Sequence, residues 1–314
     1  MISIITAHYN SSNKINNLID SLQKQTNKEF EWIVIDDCSC EAEFSTMKEQ
    51  VLKAELNSQV LQNEKKGGPG VARNNGIKHC KGNYLTFVDC DDTISENFVN
   101  ILDNLAKTKD ADIIIFDYER IRGTYRERCV KLDYENQGEV DINTFLCQAK
   151  TCICGGLFRT ELIKANKITF PQLYRYEDWV FNVCAVIKSN KIWYEKISLY
   201  QYIEAANSLV TSGKYDAGEY ALKAFELVKS VLKLHSQDVL GLLYAREILY
   251  VNAINKAKQM NFEDYKQEMI ALTTKMEYET NKDYLKKLKF HHRLVITLIS
   301  LKMYRVVWIL GKKI

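Results

Sequence analysis

The strongest constraint on the fold is an alternation between two periods of hydrophobicity in the first third of the chain. Short apolar runs, such as residues 2–6 and 30–35, have the length and composition of buried strands. The segment 15–22 between them carries its apolar residues at helical spacing instead. Strands that alternate with helices form βαβ units, whose strands lie parallel in one sheet. The sequence therefore predicts an α/β fold with a Rossmann-like, doubly wound sheet that is mostly parallel.

The same periodicity predicts the other elements. Strands are predicted at residues 59–61, 84–88 and 113–116, and helices at 44–54, 71–77 and 98–105. Ser11 or Ser12 is predicted to cap the first helix, and Ser95 the helix that follows the 84–88 strand. Farther along we expect a hairpin over 118–132 with its turn near Gly123, helices at 141–148 and 176–188, and short strands at 192–194 and 199–202.

Length and pattern together divide the chain into two parts. A chain of 314 residues can bury one large core, or a core of ordinary size with a helical annex. From about residue 216 onward nearly all of the sequence has helical periodicity. We therefore expect an α/β domain over residues 1–210 and a helical C-terminal region over residues 211–314.

Charge and cysteine usage exclude several classes of protein. The 43 basic and 40 acidic residues leave a formal net charge of +3, so no basic excess indicates nucleic acid as a partner. Met1 leads directly into an apolar strand, which predicts a cytosolic protein without a secretory signal.

Nine cysteines include the pairs Cys38-x-Cys40 and Cys152-x-Cys154, but neither pair has the second Cys or His pair of a tetrahedral zinc site. We expect reduced, mostly buried thiols.

Three polar clusters follow predicted strands. Residues 7–10 (AHYN) follow the first strand, Asp36 and Asp37 follow the second, and residues 89–92 (DCDD) follow the 84–88 strand. In a doubly wound sheet, ligands bind outside the carboxyl ends of the strands, so we expect the three clusters to converge. Taken alone, Asp36 and Asp37 also fit a turn and helix-cap pair, because aspartate is favoured in both roles. The same structural interpretation applies to Asp92.

The DCDD cluster is harder to explain by structure alone. Asp89, Asp91 and Asp92 place three carboxylates within four residues, and like charges at close range destabilise one another unless a cation or hydrogen-bond donors compensate them. Mg²⁺ and Mn²⁺ prefer oxygen ligands, and commonly share their shell between one or two protein carboxylates, water and substrate phosphates. The cluster therefore predicts a divalent metal beside a diphosphate, in preference to a plain acidic turn.

Five blocks of the chain match a known pattern in the right order, namely IITAHYN (4–10), WIVIDDCS (32–39), GVARNNG (70–76), FVDCDD (87–92) and YEDW (176–179). Together they resemble the family 2 glycosyltransferases, which have the GT-A nucleotide-diphospho-sugar transferase fold and include bacterial capsule, lipopolysaccharide and cell-wall sugar transferases. The resemblance covers about residues 1–210, the expected catalytic domain. The NSL and TS sequences within residues 207–212 also resemble the close of that domain.

The resemblance implies roles for residues around the nucleotide. The backbone of Ala7, the ring of Tyr9 and the carboxylate of Asp37 would hold uridine. Asp36 would support them, and Arg73 would lie near the donor. Many members of the family have proline where this chain has alanine at position 7. Since that position offers backbone atoms, we expect a change in loop stiffness and no loss of binding.

The resemblance also implies roles at the reacting centre. In the Asp-x-Asp element, Asp89 would face the ribose and the metal, Asp91 would bind the metal, and Asp92 would support the donor sugar or the metal's water. Asp178 would be the catalytic base, with Glu177 contacting acceptor or sugar. An aspartate with an ordinary pKa of ~3.9 is ionised in the cytosol, so no shift is needed. The structural alternative for Asp178 is an acid that the helix dipole stabilises at a helix N-terminus.

The implied function is that of an inverting glycosyltransferase that uses Mn²⁺ or Mg²⁺. It would transfer a hexose or N-acetylhexosamine from a UDP-sugar to a glycan or lipid-linked acceptor of a bacterial surface polysaccharide, such as capsule, lipopolysaccharide or lipooligosaccharide. The alternative is a non-catalytic nucleotide-sugar-binding or assembly subunit of a glycan-synthesis complex. A nicotinamide enzyme is disfavoured, because no Gly-x-Gly-x-x-Gly follows the first strand.

The segment 281–314 is basic and amphipathic. It carries nine Lys and Arg residues against one acid, Asp283. Its apolar run 294–299 is far shorter than the ~20 residues that cross a bilayer. Tyr304 and Trp308 give it the aromatic, amphipathic character of segments that lie in an anionic membrane interface. We expect peripheral contact with the inner face of the cell membrane. The alternative is packing on the domain or on a second subunit of a homo-oligomer.

Overall fold

The structure, a computed structural model, describes residues 1–132, 136–149, 152–204, 217–232, 243–274 and 290–313, together with Val239 and Leu288. The chain forms two compact units. The first is Met1–Ile142 with Lys150–Thr211, and the second is Asn143–Ala149 with Ser212–Ile314. The predicted boundary at residue 210 and the predicted closing motif at residues 207–212 lie outside the described residues.

The first unit is built on one mixed sheet. The strands that the structure describes are β1 Ile2–His8, β2 Phe30–Asp36, β3 Ser58–Gln62, β4 Tyr84–Phe87, β5 Thr93–Ile94, β6 Ile113–Arg122, β7 Tyr125–Cys129, β8 Gly138–Val140, β9 Gly156–Arg159 and β10 Ile192–Ile203. Their order is β3-β2-β1-β4-β9-β6-β10-β5, with β7 beside β6 and β8 beside β10. Neighbours among β1 to β4 are parallel, as are β6 and β10, whereas β9 is antiparallel to both neighbours. The predicted α/β fold with a mostly parallel mixed sheet is confirmed.

The helices that the structure describes in the first unit are α1 Ile15–Gln23, α2 Glu41–Lys53, α3 Pro69–His79, α4 Phe98–Lys109, α6 Thr160–Ala165 and α7 Glu177–Lys188. The helix α5, Ile142–Gln148, belongs to the second unit from residue 143 onward. Helix α1 buries Ile15, Leu18, Ile19 and Leu22, as their spacing predicts. Burying one such side chain completely stabilises the fold by roughly 1.5–3 kcal/mol. The helical periodicity of the sequence therefore reports this buried face correctly.

The predicted serine caps are wrong. Lys14 is the residue before α1 and Asn97 the residue before α4, and neither helix start has a side-chain cap hydrogen bond. The serines act through their backbone instead. The carbonyl oxygen of Ser11 accepts from the N–H of Lys14 (3.0 Å), and that of Ser95 accepts from the N–H of Phe98 (3.0 Å). Each helix thus begins after a backbone turn that pairs one N–H group at its start, and the hydroxyl groups of these serines do not cap it.

Two strand predictions are corrected by the structure. The predicted short strands at 192–194 and 199–202 are one strand, β10, whose register against β6 shifts between Glu195 and Ser198 and again before Tyr200. An irregularity of this kind interrupts the alternation of buried and exposed residues, so one strand looks like two. Strand β9 is absent from the sequence-based prediction, although it lies between β4 and β6 in the sheet.

A cluster of aromatic rings fixes α7 against the sheet. The rings of Phe170 and Phe181 stack with their centroids 4.0 Å apart. Phe181, on α7, also meets Phe87 of β4 (5.5 Å) and Phe158 of β9 (5.4 Å) edge to face. Such pairs contribute about 0.5–1.5 kcal/mol each beyond the burial of their area. The start of α7 is therefore held rigidly relative to the end of β4.

The second unit is helical in its described residues, as the sequence predicts. After α5 it contains α8 Ala217–Leu232, a π-helical segment Tyr244–Tyr250 that continues into α9 Val251–Gln259, α10 Phe262–Thr274, α11 Phe290–Ser300 and α12 Tyr304–Lys313. Helix α12 approaches α9 closely at Gly311, where an added Cβ would lie 2.6 Å from the Cβ of Ala257. None of the helices in the described ranges combines the length and the apolar character that crossing a bilayer requires.

Candidate active site

The DCDD cluster forms a turn directly after β4, and its last carboxylate faces inward. Asp92 is 1% exposed, and its Oδ1 accepts from the backbone N–H of Ile203 (2.8 Å). The hydroxyl of Tyr200 donates to Asp92 Oδ2 and accepts from the backbone N–H of Asp89 (3.2 Å). Buried carboxylates need such donors. Asp92 therefore anchors the turn to β10, and its contact with the donor sugar or the metal's water stays a prediction.

The other two carboxylates of the turn are accessible. The side chains of Asp89 and Asp91 are each about one-third exposed. Lys14 Nζ lies 3.2 Å from Asp91 Oδ2. Burial and the charge of Asp89 raise the pKa of Asp91, while Lys14 opposes that increase. A cation bound between Asp89 and Asp91 would relieve the same repulsion.

This donor set fits a metal that is shared with a ligand. Within the described ranges, no three or more His, Cys, Asp or Glu side chains are grouped so that they could hold a metal ion by themselves. Asp89 and Asp91 nevertheless offer partly exposed carboxylate oxygens that repel one another. Mg²⁺ typically takes one or two carboxylates from a protein and completes its shell with water and substrate phosphates. The turn therefore fits part of a metal shell.

Arg73, on α3, joins the turn to the start of α7. Its Nη2 lies 2.8 Å from Asp89 Oδ1, and its Nη1 lies 2.9 Å from Glu177 Oε1. The guanidinium carbon is 5.4 Å from the centroid of the Phe170 ring. Although burial opposes the charge, Asp89 and Glu177 raise the pKa of Arg73, which keeps it cationic. One buried cation thus links the turn after β4 to the acidic pair that begins α7.

Asp178 is the second residue of α7, and its environment favours the protonated form. The backbone N–H of Trp179 donates to Asp178 Oδ1 (2.8 Å). Burial, followed by the charges of Glu177 and Cys152, raises the pKa of Asp178 well above its usual value, and Arg73 opposes this shift. The sequence-based expectation requires no shift of this pKa for catalysis, and the structure adds that the surroundings of Asp178 raise it. A general base must be ionised before it can accept a proton, so Asp178 could act as a base only above this raised pKa.

Asp36 is enclosed by donors at the end of β2. His8 Nδ1 lies 2.8 Å from Asp36 Oδ1, Ser39 contributes its hydroxyl (2.5 Å) and its backbone N–H (2.8 Å), and Gln62 Nε2 lies 3.1 Å from Oδ2. Burial alone would raise the pKa of Asp36, but the hydrogen bonds from His8 and Ser39 lower this pKa below its usual value. The side chain has no exposed surface. The carboxylate of Asp36 therefore supports the loop after β2.

Asp37 holds the glycine loop that precedes α3. Its carboxylate accepts from the backbone N–H groups of Gly67 (3.0 Å) and Gly68 (2.7 Å) and from Asn63 Nδ2 (3.0 Å). Gly68 has φ of +90°, where a side chain would be strained. A Cβ at Gly70 would lie 2.9 Å from the Cβ of Phe170, so glycine allows α3 to approach that segment. Gly67 and Gly68 thus donate backbone hydrogen bonds to Asp37, and Gly70 allows α3 to pack closely against the segment around Phe170.

Tyr9 presents an exposed ring beyond the end of β1. Its exposed fraction is 39%, and Lys66 Nζ lies 3.6 Å from the ring centroid. Ala7 lies within β1, opposite Ile35 of β2 in the parallel register. Because β1, β2 and β4 are parallel, the residues that follow them share one edge of the sheet. Tyr9, Asp37 and the DCDD turn therefore lie at the same edge of the sheet.

Three residues of this edge were not predicted as functional. His8 pairs with Asp36, which is its register partner in the neighbouring strand, so the parallel pairing itself could have indicated the contact. Lys14 and Tyr200 reach Asp91 and Asp92 from 77 and 108 residues away, respectively. Their contribution depends on tertiary contacts, and nothing in the local sequence indicates it.

Because Asp92 is buried and Asp91 is partly exposed, we expect their replacement to lower the free energy of unfolding by different amounts. Asp92→Ala leaves the Tyr200 hydroxyl and the Ile203 N–H without an acceptor, so we expect a loss of about 1–3 kcal/mol in the free energy of unfolding. Asp91→Ala, the matched control, removes one partly exposed ion pair and should cost less than about 1 kcal/mol. Urea unfolding measures both. Equal losses would contradict the structural role of Asp92.

The sequence model of the family 'Glycosyl transferase family 2' matches residues 3–159 of this chain, which are 157 of its 314 residues and thus half of it. The poly(ribitol-phosphate) β-glucosyltransferase of Bacillus spizizenii is 32% identical over 238 residues, which are 74% of this chain and 37% of that protein. The poly(ribitol-phosphate) β-N-acetylglucosaminyltransferase TarS of Staphylococcus aureus is 28% identical over 281 residues, 86% of this chain and 48% of TarS. The chain thus matches less than half the length of either relative.

The fold is also that of a solved relative. The crystal structure of S. aureus TarS 1–349 in complex with UDP-GlcNAc superposes with a TM-score of 0.75 and 21% identity, covering 99% of this chain and 90% of that one. At this identity the match shows the fold, a GT-A-like α/β fold with C-terminal helices. The resemblance of the five sequence blocks is confirmed by the family match. This chain therefore belongs to glycosyl transferase family 2.

Proposed function

We propose that this chain is an inverting glycosyltransferase that moves a hexose or N-acetylhexosamine from a UDP-sugar to a hydroxyl group of a bacterial surface polymer. The observation that carries the proposal is the Arg73 bridge, which links Asp89 of the DCDD turn to Glu177, beside Asp178. The bridge connects the turn proposed to bind the diphosphate with the residue beside the proposed general base. Membership of the family supports the class of reaction.

The relatives narrow the donor and the acceptor within this proposal. Two of them are named as transferases of glucose and N-acetylglucosamine to poly(ribitol phosphate), and TarS binds UDP-GlcNAc. We therefore take UDP-GlcNAc and UDP-glucose as first donors and a polyol-phosphate wall polymer as first acceptor. Other surface glycans and lipid-linked saccharides are the further acceptors. Catalysis is assigned to residues 1–210, and the helical region 211–314 is assigned to contacts outside the reacting centre.

In the proposed reaction, Asp178 accepts the proton of the acceptor hydroxyl. As the proton moves to the carboxylate, the acceptor oxygen bonds to the anomeric carbon, and the bond from that carbon to the diphosphate oxygen breaks, releasing UDP. Attack from the side opposite the diphosphate inverts the anomeric centre. Arg73 positions Asp89 and Glu177. Tyr9 offers its exposed ring to uracil, beside the backbone of Ala7, while Asp36 and Asp37 hold the loops around the nucleotide.

Asp91 and Asp89 would hold a divalent metal in this site. When bound, Mn²⁺ or Mg²⁺ supplies positive charge that stabilises the departing diphosphate. Lys14 already places an ammonium group 3.2 Å from Asp91. The ammonium group therefore offsets part of the negative charge of the turn when no metal is present.

We expect UDP to stabilise the protein more than GDP or CDP does, and the stabilisation to increase with Mn²⁺. A ligand at 100 times its dissociation constant stabilises the folded state by about 2.7 kcal/mol. Thermal unfolding in the presence of each nucleotide, with and without Mn²⁺, measures the preference. Asp91→Asn should remove the increase caused by Mn²⁺ and keep the effect of UDP alone. A preference for GDP would contradict the assigned donor.

The last two helices present a surface that suits an anionic membrane. Phe290 on α11 is 70% exposed, and Leu301, after α11, is 63% exposed. Residues 290–313 contain no Asp or Glu, and Lys302 and Arg305 are exposed beside the apolar side chains. We place this surface at the inner face of the cell membrane, where apolar insertion and attraction to anionic headgroups act together.

Vesicle binding tests the membrane assignment. Phe290→Ser combined with Leu301→Ser should lower co-sedimentation with phosphatidylglycerol vesicles several-fold, because both side chains leave water on binding. Leu52→Ser is the matched control, since Leu52 is also exposed but lies on α2 in the first unit. Concentration-dependent self-association without vesicle binding would assign the surface to a homo-oligomer and exclude the membrane.

A further inference from the structure

Two cysteine sulfurs lie in contact close to the acidic start of α7. The thiol of Cys154 donates to the sulfur of Cys152, and the two Sγ atoms are 2.9 Å apart. Lys131 Nζ lies 3.3 Å from Cys152 Sγ. Cys154 is buried and Cys152 is partly exposed. The pair therefore combines a partly exposed cysteine, a cation and a second sulfur in contact with the first.

Lys131 is fixed in place beside this pair. Its ammonium group donates to the carbonyl oxygens of Cys152 and Cys154, and its backbone N–H donates to Asp117 Oδ1 (2.8 Å). The lysine is almost fully buried. A buried ammonium group needs a negative partner, and a thiolate at Cys152 provides one. The hydrogen bond from Cys154, followed by the charge of Lys131, lowers the pKa of Cys152 to about 5, although burial opposes this shift.

The pair is part of the candidate active site's surroundings. Asn182 Nδ2 donates to the carbonyl oxygen of Cys152 (3.4 Å), and Asn182 lies one helical turn after Asp178 on α7. The backbone N–H of Phe116 donates to the carbonyl oxygen of Gly155 (3.0 Å), which fixes the other end of the segment to β6. The position of the two sulfurs is thus set by two elements of the first unit.

We propose that Cys152 is an oxidation site for hydroperoxides, with Cys154 as the thiol that resolves it to a disulfide. The Cys152 thiolate attacks one oxygen of hydrogen peroxide, the O–O bond breaks, and hydroxide leaves and takes up a proton to form water. Cys152 is then a sulfenic acid. The sulfur of Cys154 attacks it, the S–S bond forms, and the Cys154 proton leaves with the hydroxyl group as a second water. Two thiols lose two electrons, and one peroxide is reduced to two waters.

The other Cys-x-Cys pair of the chain provides an internal control. Cys38 and Cys40 have the same spacing and are both exposed, but the contact of the Cys38 sulfur is with the carbonyl oxygen of Glu64 (3.8 Å), whereas that of Cys152 is with the ammonium group of Lys131. Exposure alone would make Cys38 and Cys40 the first to react. Thiolate stabilisation makes Cys152 the first, because the thiolate is the nucleophile.

Alkylation and peroxide treatment of the whole chain test the proposal without relying on transferase activity. At pH 6, iodoacetamide should label Cys152 about 10-fold faster than Cys38, since a more acidic thiol is more ionised but somewhat less nucleophilic. Hydrogen peroxide should remove two hydrogen atoms from the protein, with a disulfide between Cys152 and Cys154 in the peptide map, and dithiothreitol should restore both thiols.

The Cys154→Ser variant separates the two steps. It should stop at a Cys152 sulfenic acid, which dimedone traps as an adduct. Circular dichroism tests whether the variant is folded, and Cys40→Ser, treated in the same way, should form the Cys152–Cys154 disulfide unchanged. Faster labelling of Cys38 than of Cys152, or a peroxide-induced disulfide from Cys152 to any other cysteine, would overturn the proposal.

Discussion

Replacing Asp178 by asparagine should lower the rate of sugar transfer by about 10³-fold and leave the affinity for UDP unchanged. Loss of a general base typically costs 10²- to 10⁴-fold in rate. The amide of asparagine cannot accept the acceptor's proton, whereas the uridine side of the site, around Tyr9, is unaltered. Single-turnover transfer from a UDP-sugar measures the rate, and titration with UDP measures the affinity.

The pH dependence of the wild-type enzyme gives this prediction a second readout. Asp178 acts as a base only when ionised, so the rate should fall as the pH decreases through its folded-state pKa. Because burial and Glu177 raise that pKa, the acid limb should lie above the ~3.9 of a free aspartate. The limb should be absent from the residual activity of Asp178→Asn.

Stability separates the catalytic role of Asp178 from the structural one. A carboxylate with a raised folded-state pKa favours folding when it is protonated, and this contribution is lost as the pH rises through that pKa. At neutral pH the Asp178→Asn variant should therefore be at least as stable as the wild type. A clear decrease in Tm, together with loss of UDP binding, would instead identify Asp178 as an acid that stabilises the N-terminus of α7.

Replacing Arg73 by methionine should lower the free energy of unfolding by about 3 kcal/mol and abolish transfer. Arg73 is 5% exposed, and its removal leaves Asp89 and Glu177 without their shared cation. Breaking a buried ion pair from one side costs about 3–5 kcal/mol, and the partial exposure of Asp89 places the expected loss at the lower end. Urea unfolding at neutral pH measures the loss.

Two control variants define what Arg73 contributes. Arg73→Lys keeps the charge, but an ammonium group cannot replace a fork that spans two carboxylates, so we expect an intermediate loss of stability. Arg126→Met removes an exposed arginine paired with Glu119 at 3.3 Å and should cost about 0–1 kcal/mol. If Arg73→Met were no more destabilising than Arg126→Met, the bridge between the DCDD turn and α7 would not contribute to the stability of the fold.

The parts of the fold that the sequence predicts are those with a strong local pattern. The strands β1 and β2 are unbroken apolar runs, and α1 has a buried face at regular spacing, so their positions follow from periodicity. Strand β9 has four residues and begins with glycine, and its place between β4 and β6 is decided by pairing across the sheet. Such pairing lies outside any local window of sequence.

In the candidate site, too, some features follow from the local sequence and others depend on distant contacts. Sequence position identifies the acidic residues after β2 and β4, but it does not show which of them face a ligand. Asp92 turns inward because Tyr200 and Ile203, more than 100 residues later, supply its donors. Asp91, one residue earlier, remains accessible beside Lys14. The direction of each carboxylate is set by distant partners, so it could only be learned from the structure.

The most direct test of the proposed function is UDP release from a panel of UDP-sugars, with and without Mn²⁺, by the wild-type chain and by Asp178→Asn. Hydrolysis by water can be followed without knowing the acceptor. We expect metal-stimulated release of UDP from at least one donor, UDP-GlcNAc or UDP-glucose first, and its loss in Asp178→Asn. Binding of UDP without release from any donor would contradict a transferase and favour a non-catalytic nucleotide-sugar-binding subunit.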